Sequence, residues 1–211
     1  VQETTPVMPP RLGSKAPNFQ ARTTLGMTRL SDFLGRWVVL FSHPADFTPV
    51  CTSEFIAFAH AQETFEALNC QLLGLSVDSL PSHLAWLDAI RRDLGTSIRF
   101  PVIEDPSMAI AQAYGMLDQT AANSSTVRAC FIIDPEGLIQ CILNYPLSIG
   151  RSVNEILRTV KALQHSVKSN RLIPEGWQAG APSFEPSALT SDDVAEQDSP
   201  LWFYRLKEDK A

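Results

Sequence analysis

The sequence predicts an α/β fold built on a mixed sheet. Apolar runs at 37–42, 71–77, 129–133 and 138–143 read as strands, and helically spaced segments separate the first three of them. The last two runs flank Asp134-Pro-Glu-Gly137, a turn signal that joins them as a hairpin, and a further helix follows. Strands alternating with helices, closed by a hairpin and a helix, define a mixed sheet.

Each element has a local cause. Trp37-Val-Val-Leu-Phe-Ser42 is a continuous apolar run ending at Pro44, which marks a loop. From Thr48 to about Leu68 the spacing of Phe55, Phe58, Ala59, Gln62, Phe65 and Leu68 is helical, with Thr48 at the N-cap and Pro49 at the first helical position. Leu84, Leu87, Ile90 and Leu94 predict a second helix over about 82–94, stopped by Gly95, and a third spans 107–114 before Gly115. Ser152-Val-Asn-Glu155 is a capping box that starts a helix over 152–167, with Val153, Ile156, Leu157, Val160 and Leu163 on one face. Beyond Asn170 regularity fails at Pro174, Pro182 and Pro186. Asp192, Asp193 and Glu196 form an acidic stretch, and Leu201-Trp-Phe-Tyr-Arg-Leu206 reads as an apolar strand expected to pack on a partner subunit or to clasp its own domain. The chain is therefore read as a domain over 1–170 and an extension over 171–211.

Composition narrows the function. The 211 residues carry 45% hydrophobic and 19% charged side chains, ordinary for a globular protein, and a net charge of −6 argues against nucleic acid or an anionic membrane as partner. No stretch approaches the roughly 20 apolar residues of a membrane span, and residues 1–10 lack the basic start and apolar run of a secretory signal. Cytoplasmic residence is the expectation. The four cysteines, at 51, 70, 130 and 141, contain no Cys-x-x-Cys and no zinc-ligand spacing, so no metal is expected. Cys70 precedes its strand and reads as an edge residue. Cys130 and Cys141 would oppose each other across a plain two-residue turn. A left-handed Gly137 would shift the register by one and send them to opposite faces as free thiols, the arrangement expected here.

Cys51 is the chemically distinctive residue. It falls in the first turn of a helix, where unpaired backbone N–H groups and the positive end of the helix dipole favour thiolate. A helix terminus contributes only about 0.3–1 kcal/mol, so full ionisation at neutral pH needs a second cation. Arg128, which opens the apolar strand in Thr126-Val-Arg-Ala-Cys-Phe-Ile-Ile-Asp134, is the candidate, unless it is merely a solvated strand start. Thr48 either caps the helix or offers its hydroxyl to a substrate, accepting from one oxygen while donating to another. Pro44 and Pro49 stiffen the loop and restrict water, or simply punctuate the turn.

The pattern Pro44-x-x-x-Thr48-x-x-Cys51 with a later Arg128 resembles the peroxiredoxins. The wording Phe41-Ser-His-Pro-Ala-Asp-Phe-Thr-Pro-Val-Cys-Thr-Ser-Glu54 is similar to their one-cysteine, peroxiredoxin 6-like branch, as are Leu75–Asp78, His83–Trp86, Phe100–Ile103 and Tyr145–Arg151. The resemblance runs from about Arg11 to Trp177. It implies a thioredoxin-like fold and a thiol-dependent peroxidase that needs no cofactor and reduces hydrogen peroxide and organic hydroperoxides. It makes Cys51 the peroxidatic cysteine, held as thiolate by Arg128, with Thr48 orienting the peroxide and Pro44 shielding the pocket. Glu54 and Arg151 match a supporting charge pair, and His43 matches a histidine beside the sulfur or is a packed loop residue.

The resemblance also implies a homodimer, with a decamer as the larger option, and an external thiol reductant of thioredoxin, glutathione or small-thiol type. Arg171–Trp177 lacks the resolving cysteine of two-cysteine relatives, so a one-cysteine cycle is expected; the alternatives are resolution by Cys70, Cys130 or Cys141, or a redox-controlled chaperone or sensor role. Gly35-Arg36-Trp37 replaces the Gly-Asp-Ser-Trp-Gly lipase site of vertebrate members, so no phospholipase activity is expected there.

Overall fold

The structure, a computed structural model, describes residues 9–117, 125–188, 190–195 and 200–208. Residues 1–8, where no secretory signal is expected, and Glu196 of the acidic stretch lie outside the described residues. The chain divides into two compact units, Val1–Val153 and Asn154–Ala211.

The first unit is built on a seven-stranded sheet. Its elements are β1 (Gln20–Thr23), β2 (Gly26–Arg29), β3 (Trp37–Ser42), α1 (Pro49–Ala67), β4 (Cys70–Ser76), α2 (Leu80–Leu94), β5 (Val102–Glu104), α3 (Ala109–Ala113), β6 (Arg128–Ile133) and β7 (Ile139–Tyr145). The spatial order is β2-β1-β5-β4-β3-β6-β7. β3, β4 and β5 run parallel, whereas the β1, β2, β6 and β7 pairings are antiparallel, so the sheet is mixed as expected. The central strands are those with unbroken apolar runs, and every residue of β3 and β6 is buried. Three strands are not legible in the apolar pattern. β1 and β2, Gln-Ala-Arg-Thr and Gly-Met-Thr-Arg, form a polar hairpin at one edge, and β5 has only three residues.

The two faces of the sheet are filled differently. Leu40, Leu73, Leu75, Ala129, Phe131, Ile133 and Ile139 join Ile110, Ala111 and Tyr114 in one cluster. On the other face α1 lays Phe55 and Phe58 against Phe41, whose ring stacks on that of Phe58 at 4.2 Å. Gly74 permits this approach, since a Cβ there would stand 3.2 Å from the Phe55 ring.

Two cysteine expectations are corrected. Cys70 begins β4 rather than preceding it, is buried, and lies in an interior strand paired with Trp37. Cys130 and Cys141 form no disulfide, as expected, but share a face. Gly137 is indeed left-handed, at φ 79°, and gives the expected shift. A second irregularity follows: Ile133 pairs with Ile139, whereas Ile132 already pairs with Cys141 and Cys130 with Leu143. The extra residue, Gln140, turns β7 over once more, so Ile139 and Ile142 enter the same cluster and Cys141 returns to the side of Cys130.

In the second unit, α4 (Val153–Ser169) leads into irregular chain and a short ribbon of β8 (Ser183–Phe184) with β9 (Leu206–Lys207). A one-turn helix, α5 (Ser191–Ala195), holds Asp192 and Asp193. Trp177 stacks on His165 at 5.0 Å and donates its indole N–H to Ala181. The strand expected over 201–206 is found only at its end. Residues 201–203 form a turn closed by Tyr204 N–H on the Leu201 carbonyl, with Leu201, Phe203, Tyr204 and Leu206 exposed.

Candidate active site

The site forms where β3 ends and α1 begins. After Ser42 the chain passes through His43 and Pro44, turns at Phe47 with a left-handed φ of 55°, and enters α1 at Pro49. Proline at the helix start sacrifices no hydrogen bond, because first-turn N–H groups have no intrahelical acceptor. Thr48 takes the N-cap backbone position, but its side chain does not cap the helix; the hydroxyl donates to the Ala45 carbonyl at 2.9 Å. With its hydrogen on that carbonyl the hydroxyl oxygen keeps its lone pairs, and the capping role weighed above is not found. Pro44 is half-buried in the same loop.

Cys51 lies in the first turn of α1 with no exposed surface. Arg128, the first residue of β6 and buried, points Nη1 at its Sγ from 3.4 Å. β6 is held there by polar ties to β3: the Ser42 hydroxyl donates to Val127 and accepts from Ala129 N–H, and Thr126 Oγ1 donates to the His43 carbonyl at 2.7 Å. The arginine is fixed from its other side as well, by Nε on the Leu147 carbonyl at 2.9 Å and by Nη1 on Glu54 at 2.8 Å.

Glu54 is the hub. One turn after Cys51 and buried, it accepts from Arg128 Nη1 and from the backbone N–H, Nε and Nη2 of Arg151, all at 2.7–2.8 Å. Burial opposes its charge, but the Arg151 contacts, with the charge of Arg128, outweigh burial and keep the carboxyl below its usual range. Arg151 also donates to the Ala129 carbonyl and lies 5.2 Å over the Phe41 ring. Of the sequence-predicted residues, Arg128 meets the Cys51 sulfur, Glu54 joins Arg128 to Arg151, and Pro44 and Thr48 lie in the loop that leads into the same helical turn.

His43 is buried beside them, with its ring 4.8 Å from that of Phe55. Its main polar partner was not predicted. Asp46 meets His43 Nε2 at 2.8 Å and His83 Nδ1, from α2, at 2.8 Å, and its backbone N–H reaches the Asp78 carboxylate. The proximity of His43 and Asp46 across a proline turn is a legible signal; the contact with His83, 37 positions from Asp46, is not. Among the described residues these three side chains form the one group with the chemistry to hold a metal ion. Both histidines instead hydrogen-bond to the Asp46 carboxylate.

Cys70 and Cys130 differ sharply from Cys51 in surroundings. Burial pushes both thiols up to about 12, with no guanidinium hydrogen-bonded to either sulfur among the described residues.

A fold with a parallel β3-β4-β5 core and an antiparallel β6-β7 hairpin, carrying a buried cysteine at a helix start beneath an arginine, defines the class: a thioredoxin-like protein with a reactive thiol. The AhpC/TSA family model matches residues 12–142, and the chain belongs to that family, the peroxiredoxins. It is similar to Peroxiredoxin 2 of Caldanaerobacter subterraneus subsp. tengcongensis, 49% identical over 188 residues, covering 89% of this chain and 85% of that protein. A yeast mitochondrial 1-Cys peroxiredoxin superposes with a TM-score of 0.80 at 39% identity, covering 87% of this chain and 90% of that one. Reduced 2-Cys peroxiredoxin of Plasmodium vivax gives 0.78 at 38% identity, over 85% and 95% respectively. The chain is a thiol-dependent peroxidase.

Proposed function

We propose that Cys51 is the peroxidatic cysteine of a one-cysteine cycle acting on hydrogen peroxide and organic hydroperoxides. The observation that carries this reading is the Arg128 Nη1 donor 3.4 Å from a cysteine sulfur in a helical first turn. The Cys51 thiolate attacks the terminal oxygen of HO–OR, an S–O bond forms as the O–O bond breaks, and the leaving RO⁻ takes a proton to become water or alcohol. Arg128 and the first-turn N–H groups bind the negative charge as it moves from sulfur to the leaving oxygen. Thr48 Oγ1 accepts from the substrate O–H, Pro44 shields the pocket, and Glu54 with Arg151 holds Arg128 in place.

The sulfenic acid is then reduced by an external thiol, which forms a mixed disulfide with loss of water; a second thiol releases Cys51. The yeast 1-Cys relative is described as resolved via glutathione/thioredoxin systems, and a reductant of that kind suits this chain. Cys70 and Cys130, buried and held as thiols, are poor resolving groups. Residues 1–170 form the catalytic domain in this reading. The extension 171–211, with its exposed Leu201, Phe203, Tyr204 and Leu206, packs at a subunit interface of a homodimer or decamer. No helix of the described residues is long and apolar enough to cross a membrane, and the cytoplasm is the proposed compartment.

Intact-mass analysis after one equivalent of peroxide tests the cycle. A gain of one oxygen, absent in Cys51→Ser, is expected. A loss of two hydrogens would mean a disulfide and a two-cysteine cycle through Cys70, Cys130 or Cys141.

A further inference from the structure

The loop that enters α1 contains one residue whose own side chain does not explain its backbone. Phe47 stands at a left-handed φ of 55°, a region that bulky residues enter only under strain. Its side chain is 60% exposed, so core packing does not offset that strain. The residues on either side of it are the ones held in place. Asp46, before it, is buried and bound from three elements. Its carboxylate lies 2.8 Å from His43 Nε2 at the end of β3 and 2.8 Å from His83 Nδ1 on α2. Its backbone N–H donates to the Asp78 carboxylate, in the turn after β4, at 2.9 Å. Burial opposes the Asp46 charge, but the hydrogen bonds from His43 and His83 outweigh it and keep the carboxyl well below its usual range. An ionised carboxylate only accepts, so both histidines donate to it. His83 is seated in turn by Nε2 against the Ile103 carbonyl at 3.2 Å.

Thr48, after Phe47, is fixed by α1, since its carbonyl accepts from the Thr52 N–H at 2.9 Å and from the Thr52 hydroxyl at 2.7 Å. The two sides of Phe47 meet in one peptide unit, the one joining Ala45 to Asp46. Its N–H points at Asp78, and its carbonyl takes the hydrogen of the Thr48 hydroxyl at 2.9 Å. A peptide is planar, so whatever anchors the N–H also aims the carbonyl. We propose that Asp46, tied to α2 by His83, is a positioning residue that keeps Phe47 left-handed and so turns the lone pairs of the Thr48 hydroxyl toward a hydroperoxide. Neither Asp46 nor His83 touches substrate in this role, which rests on the peroxidase reading above. Without His83 the loop loses its tie to α2, Phe47 relaxes toward negative φ, and the Ala45 carbonyl swings away. The Thr48 hydroxyl then rotates freely and no longer offers a fixed acceptor.

Peroxide kinetics and amide hydrogen exchange on the full chain test this. In His83→Ala, kcat/KM for hydrogen peroxide should fall about tenfold, the worth of one hydrogen bond. The amides of residues 45–48 should exchange faster in the same variant. His83→Asn, which keeps a donor where Nδ1 stands, should lose less than about threefold. Adding Phe47→Gly to His83→Ala removes the strain, because glycine adopts a left-handed φ without a clash, and should bring kcat/KM back to within about threefold of the unaltered protein. A general loss of core packing at His83 would not be repaired by glycine at an exposed loop position. Should His83→Ala not fold, His83→Gln, which keeps a donor only on the Nε2 side, takes its place with the same expectations. Full activity without the Nδ1 donor, or a loss that Phe47→Gly leaves in place, would overturn the proposal. Should the unaltered protein consume no peroxide, the peroxidase reading fails, and the exchange rates alone decide whether His83 holds the loop.

Discussion

Arg128 shows how much one residue can be asked to do. Its guanidinium meets the Cys51 sulfur, the Glu54 carboxylate and the Leu147 carbonyl, and each contact fixes the others. Replacing it by methionine keeps the apolar stem and removes the donor aimed at the reacting sulfur. Deleting one preorganised donor at a site of moving charge typically costs a factor of about 10²–10³. Arg128→Met should therefore lower kcat/KM for hydrogen peroxide about a hundredfold in a stopped-flow assay, and a loss of under threefold would refute the assigned role. Sequence reasoning reached this residue because a charge opening an apolar strand needs a partner. It reached Thr48 and Cys51 through spacing at a single helix start, and Glu54 and Arg151 only through the resemblance to the peroxiredoxins. Asp46 and His83 escaped, since the carboxylate that joins them to His43 spans elements whose approach depends on the sheet being assembled.

Among the elements, legibility followed apolar content. β3, β4, β6 and helices α1 to α4 were readable because each buries a continuous run or apolar positions at helical spacing, whereas α5, which buries nothing, was not. β1 and β2 were not, because an edge hairpin with solvent on one side can be polar, and their pairing energy comes from neighbours rather than from their own side chains. The second irregularity in β7 has no turn residue to announce it; Gln140 is ordinary, and only the need to bring Ile139 and Ile142 into one cluster explains it. The junction between α1, β6 and the segment before α4 depends on Glu54. Glu54→Gln leaves two buried guanidinium groups without their carboxylate, a change that typically costs about 3–5 kcal/mol. Chemical denaturation should register a loss of that order. The same carboxyl predicts the acid limit. Its folded value is lowered, so its stabilisation is complete above the unfolded value near 4.5 and is lost as the pH falls below that. The melting temperature of the native protein should drop on acidification through this window, and Glu54→Gln should drop less.

For the whole molecule, the first unit contains the groups that meet Cys51, Glu54 and Arg128, while the second unit carries the exposed apolar turn. The electrostatics of the first unit have a further result. Arg128 meets the sulfur and shares the Glu54 carboxylate with Arg151, so two guanidinium groups, one carboxylate and the sulfur balance only while the sulfur is anionic. In the proposed cycle, a neutral S–OH at Cys51 would leave these groups with one uncompensated positive charge. That surplus would recruit an incoming thiolate at the very stage when it is needed. Among small thiols of matched acidity, a carboxylated one should restore Cys51 faster than an amine-bearing one, and added salt should narrow the gap. Equal rates at low ionic strength would mean that the surplus is dissipated before the second half of the cycle begins.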